Sequence, residues 1–198
     1  MVTQRGIQQF ILSIVVALFA AMAIGAHQGS STPVRLLDLT GRQIDPFQAA
    51  EAKAVVFLFI RTDCPISNRY APEVRRLDEK FAASGVTFYL VYPDPDESAE
   101  TIRRHLQEYK YRLGALRDPQ HSLVKLTGVR VTPEAAVFVP QRRMIYRGRI
   151  DDRYIAFGQA RPTPTTHDLE QVLETIIAGK PITGKTTAAI GCFISDLR

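Results

Sequence analysis

The chain has 198 residues, the size of one domain with room for an extra segment. Hydrophobic residues make up 45% and charged residues 23%, which excludes global disorder and a fibrous repeat. The net charge of +5 comes from scattered basic pairs (Arg75-Arg76, Arg103-Arg104, Arg142-Arg143), a solvated basic surface and not a nucleic-acid footprint.

Phe10 to Ala26 carries no charge, follows Arg5 and precedes a polar Gly-Ser-Ser-Thr-Pro stretch. Basic start, apolar centre and small-residue exit are the layout of a secretory signal, with cleavage sites at Ala21-Met22-Ala23 and Gly25-Ala26. An uncleaved anchor takes about 20 apolar residues, roughly 17 to 25. Residues 1–26 are therefore read as a signal peptide or membrane anchor, and the body as exported. Any membrane association runs through this segment alone. Residues 27–33 form a linker.

Val34 to Leu39 reads as a strand, followed by a turn at Gly41-Arg42. Val55 to Ile60 is a continuous apolar run, the pattern of a strand buried on both faces. Val74, Leu77 and Phe81 predict a helix over 65–83, kinked or started late by Pro72. Val86 to Tyr92 is a second buried strand. Asp94 as cap, Pro95 at the first position and Glu97 reaching back predict a helix to about Tyr111. A short helix over 122–127 ends at Gly128. Strands at 135–139 and 144–150 flank the turn at 140–143 and make a hairpin. Leu169, Val172, Leu173, Ile176 and Ile177 form the stripe of a last helix over 167–178, ended by Gly179. Strands alternating with helices predict a layered α/β domain with a mixed sheet over 34–178. Residues 179–198 are a tail without periodicity.

Only two cysteines are present, which excludes a disulfide-dense scaffold. Cys64 follows the strand 55–60 by a short turn and precedes Pro65, so it sits at a helix N-terminus. Unpaired amides and the helix dipole favour a thiolate there. Arg61 and Arg69 add positive potential and Asp63 opposes it. The alternative is a buried structural cysteine.

The stretches FLFIRTDCPISNRYAPEVRRL (57–77), GVRVTPEAAVFVP (128–140), YRGRIDDRY (146–154) and TTAAIGCFI (186–194) carry a family resemblance. The chain resembles the extracytoplasmic thioredoxin-like redoxin proteins of the alkyl hydroperoxide reductase/thiol-specific antioxidant superfamily. The resemblance implies a thioredoxin-like three-layer fold with a mixed central sheet. It also implies a nucleophilic Cys64 and a substrate groove at Pro65, Thr132 and Pro133, with a cis Thr132-Pro133 bond facing the cysteine. On sequence alone a trans bond is favoured, since X–Pro is cis in only about 5–6% of cases.

Two departures matter. Ser67 stands where thioredoxins carry their second cysteine, so dithiol exchange within one motif is impossible. Peroxiredoxins place Thr three residues before their cysteine; here Arg61 holds that place and Thr62 follows, able to bond a thiolate or peroxide oxygen only if the turn is shifted. Cys192 lies in an apolar island of the tail. It is either a packed hydrophobe or a resolving cysteine that meets Cys64.

His27, His105, His121 and His167 show no metal-ligand spacing to a cysteine or to one another, and no metal or cofactor is expected. Asp151-Asp152-Arg153 reads as a solvated turn. The reading is a thiol-based oxidoreductase of the cell envelope, acting through Cys64 on protein disulfides or peroxides. A second thiol, Cys192 or an external reductant, resolves the intermediate. The other readings are a peroxiredoxin-type peroxide reductase, a non-catalytic binding module and a metallochaperone.

Overall fold

In β3 (Ala54–Phe59) every residue is buried. Side chains of a strand alternate between faces, and here each face has its own core. Ala54, Val56 and Leu58 pack into one hydrophobic cluster, Val55, Phe57 and Phe59 into the other. The computed structural model describes residues 34–48 and 52–194. The expected signal or anchor at 1–26 and the linker at 27–33 lie outside the described residues. Among those described, no helix is long and apolar enough to cross a membrane.

The remaining strands of the main sheet are β1 (Leu36–Leu37), β2 (Gln43–Ile44), β4 (Val86–Tyr92), β5 (Gly114–Arg117), β7 (Glu134–Val139), β8 (Arg143–Gly148) and β11 (Lys185–Thr186). Their spatial order is β11-β8-β7-β3-β4-β5-β1-β2. β3, β4 and β5 run parallel, and β7 and β8 return antiparallel, so the sheet is mixed. Two short pairs complete the strands. β9 (Tyr154–Ala156) pairs with β10 (Gln159–Ala160), and β6 (Val131–Thr132) pairs with β12 (Cys192–Phe193).

The helices are α1 (Pro65–Arg69), α2 (Ala71–Phe81), α3 (Ala99–Glu108), α4 (Ser122–Thr127) and α5 (Asp168–Ile177). Val74 and Leu77 of α2, Ile102 of α3 and Leu169 and Leu173 of α5 fill one core. Leu123 and Val124 of α4 fill the other, so the sheet is covered on both sides. This is the expected three-layer arrangement.

Several local expectations are corrected. The helix predicted over 65–83 divides at Tyr70 into α1 and α2, with Pro72 in the first turn of α2. The helix predicted to open at Asp94 starts instead at Ala99. Ser98 is its cap, accepting a hydrogen bond from Thr101 N at 3.1 Å, because the Glu97 carboxylate is engaged by Thr62. Before α4, His121 has positive φ and its Nε2 meets Pro93 O at 2.8 Å. The cap of α4 is Asp118, which accepts from the amides of Ser122, Leu123 and Val124. Asp151 and Asp152 are buried, not solvated. The tail is also built into the structure: β11 extends the sheet beside β8, and β12 covers β6.

Candidate active site

The chain leaves the carboxyl end of β3 and turns through residues 60–64 into α1. Cys64 is the cap residue, with extended backbone (φ −84°, ψ 111°), and Pro65 occupies the first turn, where its missing N–H costs nothing. The Cys64 side chain is 1% exposed and its thiol donates to Thr132 O at 3.1 Å. The Thr132-Pro133 bond is cis, and the Thr132 carbonyl that meets the Cys64 thiol puts this part of the expected groove beside the cysteine.

Cys192 stands opposite Thr132 in the antiparallel β12–β6 register, and Phe193 opposite Val131. Ile194 N donates to Arg130 O at 3.0 Å, and the Ile194 side chain is buried in the second core. Gly191 is required for this approach: a Cβ there would meet Thr132 O at 2.1 Å. The segment 130–134 is itself held by Glu134, which accepts from Arg130 N at 2.9 Å. Both cysteines are free thiols, and they sit side by side at one carbonyl.

Their acidities diverge. Burial pushes the Cys64 thiol up, but hydrogen bonds from the Cys192 thiol and from Ser67 outweigh it and bring Cys64 below its ordinary value. Burial, then the adjacent Cys64, pushes Cys192 up to about 12. Of the two thiols, Cys64 is therefore the one that gives up its proton first.

The remaining expected site residues fall elsewhere. Arg61 pairs with Asp63 at 2.9 Å and Asp94 at 3.0 Å, which spends its charge on carboxylates. Arg69 is exposed at the far end of α1. The groups that lower the Cys64 thiol are Cys192 and Ser67, not these two arginines. The Thr62 hydroxyl and amide both donate to Glu97 Oε1 at 2.7 Å, so Thr62 is turned away from the sulfur.

Three residues not singled out for the site brace this turn. Glu97 is buried, which pushes its carboxyl up against the opposing Thr62 hydrogen bonds, with Asp94 and Asp63 adding repulsion. Asn68 donates through Nδ2 to Thr62 O at 2.9 Å, leaving Oδ1 to accept from His105 Nε2 at 2.8 Å. That fixes the neutral tautomer of His105, whose Nδ1 then accepts from Tyr92 OH at 2.9 Å. Burial holds His105 down at about 4, so it stays neutral in this chain of bonds. Only the amphipathic pattern of α3 hinted at a buried His105, and nothing in the sequence linked it to residue 62.

Comparison with known proteins agrees with this architecture. An uncharacterized conserved protein from Geobacillus kaustophilus is 24% identical, with TM-score 0.71, over 82% of this chain and 87% of its own. A hypothetical protein from Sinorhizobium meliloti 1021 is 23% identical, with TM-score 0.68, over 81% and 88%. A secreted Mycobacterium tuberculosis disulfide oxidoreductase homologous to E. coli DsbE is 16% identical, with TM-score 0.50, over 74% and 96%. These likenesses are likenesses of fold. No curated protein sequence matches significantly. The AhpC/TSA family model matches residues 31–148, spanning the Cys64 turn, the cis Thr132-Pro133 bond and the hairpin behind it, and the chain belongs to the AhpC/TSA family.

Proposed function

We propose that the protein is a thiol-based oxidoreductase of the cell envelope that cycles Cys64 and Cys192 between dithiol and disulfide. The observation that carries this reading is the register: Cys192 lies opposite Thr132, whose carbonyl accepts the Cys64 thiol. The Cys64 thiolate attacks one sulfur of a substrate disulfide, forming a mixed disulfide and releasing a thiolate. Cys192 then attacks Cys64, forming the internal disulfide and releasing the second substrate thiolate. Its high pKa depends partly on the negative charge of Cys64. That charge vanishes in the mixed disulfide, so the Cys192 thiol moves down from its raised value at the step that needs it. An external thiol reductant restores the dithiol.

One observation favours a second substrate, a peroxide. Cys64 is 1% exposed beneath the tail. A hydroperoxide is small enough to reach it; a folded protein's disulfide requires the tail to lift. With a peroxide, the thiolate takes one oxygen to give a sulfenic acid and releases an alcohol or water. Cys192 then forms the disulfide and releases water.

Export is supported by the apolar run at 10–26 behind Arg5 and fits the fold likeness to a secreted disulfide oxidoreductase. A reporter fused after Ser31 is expected to be active outside the cytoplasm, and activity only inside refutes export.

The chemistry is tested by oxidising the reduced protein with one equivalent of hydrogen peroxide or of a small disulfide, then mapping the thiols by mass. A Cys64–Cys192 bridge is expected, and the faster oxidant identifies the substrate class. A stable sulfenic acid on Cys64 with Cys192 free, or no reaction, refutes the two-cysteine cycle.

A further inference from the structure

Beyond the cysteine pair, a second group of side chains converges near the same end of the sheet. Asp151 lies in the loop after β8, Glu73 in the first turn of α2, and His167 immediately before α5. One donor atom from each lies within 4.8 Å of the others.

The fold holds Asp151 and His167 together. Asp152 N donates to Thr166 O at 3.0 Å, and Leu169 N donates to Ile150 O at 3.1 Å, so residues 151 and 167 are flanked on both sides by backbone bonds. Asp152 ties the same loop from below, accepting from the Thr165 and Thr166 amides at 2.6 and 2.9 Å. Asp168 turns the other way, to Arg149 and Lys185.

Two polar atoms in this group are unpartnered. Asp151 is 1% exposed. Its Oδ1 accepts from Tyr70 OH at 2.5 Å and from Arg153 N at 2.9 Å, while its buried Oδ2 has no hydrogen-bond partner among the described residues. His167 Nδ1 is likewise buried without one among the described residues, and stands 3.9 Å from Glu170 Oε2. A buried carboxylate oxygen without a partner is costly, because it has given up water and gained no donor in exchange. A cation that a carboxylate oxygen and an imidazole nitrogen can both ligate would satisfy the two atoms together.

The neighbouring cations do not fill this role. Arg76 grips both Glu73 oxygens, at 2.7 and 2.9 Å, but it also holds Glu170 at 2.9 and 2.6 Å. Arg76 keeps a two-point partner in Glu170 if Glu73 turns to a metal. Arg153 contacts Asp151 through its backbone amide.

We propose that Glu73, Asp151 and His167 form a binding site for one divalent transition-metal ion, of the zinc type, that straps α2 to the loop after β8 and the start of α5. One imidazole and two carboxylates suit zinc better than magnesium or calcium, which prefer oxygen throughout. A tetrahedral zinc ion spaces its ligands by roughly 3.4 Å, so donors that lie within 4.8 Å of one another close by at most about 1.4 Å on binding. The His167 side chain is 42% exposed, which leaves an entry path.

The test uses the full chain carrying Cys64→Ser and Cys192→Ser, which removes the thiols as competing ligands. Isothermal titration with Zn²⁺ is expected to give one ion per chain and a raised Tm. Co²⁺ is expected to give a d–d spectrum without a sulfur charge-transfer band. His167→Gln and Asp151→Asn are each expected to weaken binding at least roughly tenfold. His167 is partly exposed, so His167→Gln decides the matter if Asp151→Asn does not fold. Absence of saturable Zn²⁺ binding, binding unchanged by His167→Gln, or Mg²⁺ binding as tightly as Zn²⁺ overturns the proposal. None of these results depends on the cysteine cycle.

Discussion

Gly191→Ala isolates the part played by the tail. The new Cβ would meet Thr132 O at 2.1 Å, Thr132 C at 2.6 Å and Pro133 N at 3.1 Å, all backbone atoms of the segment that holds Cys64. Backbone anchored in this way does not move aside, so the tail gives way. Its own hold is modest. The β12–β6 bonds and the Ile194–Arg130 bond contribute about 0.5–1.5 kcal/mol each. Burial of Ile194 adds roughly 1.5–3 kcal/mol, offset by ordering the segment. The net is about 2–4 kcal/mol. A clash of this depth falls at the upper end of overpacking costs, about 3 kcal/mol. The two nearly cancel, and a change of that size reduces the docked tail from nearly all molecules to about half. Attack of Cys192 on oxidised Cys64 is then expected to slow about twofold, with a further factor of ten for each 1.4 kcal/mol by which the clash exceeds the hold. The first oxidation of Cys64 persists. Quenched-flow alkylation and mass mapping would show oxidised Cys64 accumulating before the bridge appears. Disulfide formation at the wild-type rate in a folded Gly191→Ala protein refutes the docked-tail mechanism.

Other perturbations test separate parts of the site. Cys192→Ala removes a hydrogen bond that lowers the Cys64 thiol, so the pH midpoint of Cys64 alkylation moves upward from the wild type; an unchanged midpoint assigns the lowering to Ser67 alone. In the wild type the alkylation rate rises through a midpoint below the ordinary thiol value, and Cys192, near 12, stays silent. Glu97→Ala leaves the Thr62 amide and hydroxyl without their acceptor, expected to cost about 1–3 kcal/mol in denaturant unfolding and to slow Cys64 alkylation by loosening its turn. Asp118→Ala strips three amides of their cap at the start of α4 and is expected to cost about 2 kcal/mol, a Tm drop of roughly 4–8 °C by calorimetry, with Cys64 reactivity unchanged.

The locally encoded features were legible in the amino-acid sequence. The unbroken apolar run at 55–60 marked a central strand because a strand covered on both faces has no polar side to show. Cys64 before Pro65 marked a helix cap because proline suits the first turn and little else in a helix. The stripe from Leu169 to Ile177 marked α5 because the 3.6-residue period lies within one segment. The site's partnerships were not legible. Asp94-Pro95-Asp96-Glu97 carries the residues of a helix start, yet Glu97 was drawn to two donors on Thr62, 35 residues earlier, and the start passed to Ser98. Arg61 had the charge to favour a thiolate, but Asp94 arrived from the next strand's end and took it. Cys192 sits in a tail with no period, and its place opposite Thr132 follows from two-residue strands whose pairing spans 60 positions. Strands that short carry almost no pattern of their own. Their register is decided by what the rest of the sheet leaves open: a free edge at β6, a glycine that permits close approach, and an apolar pocket for Ile194.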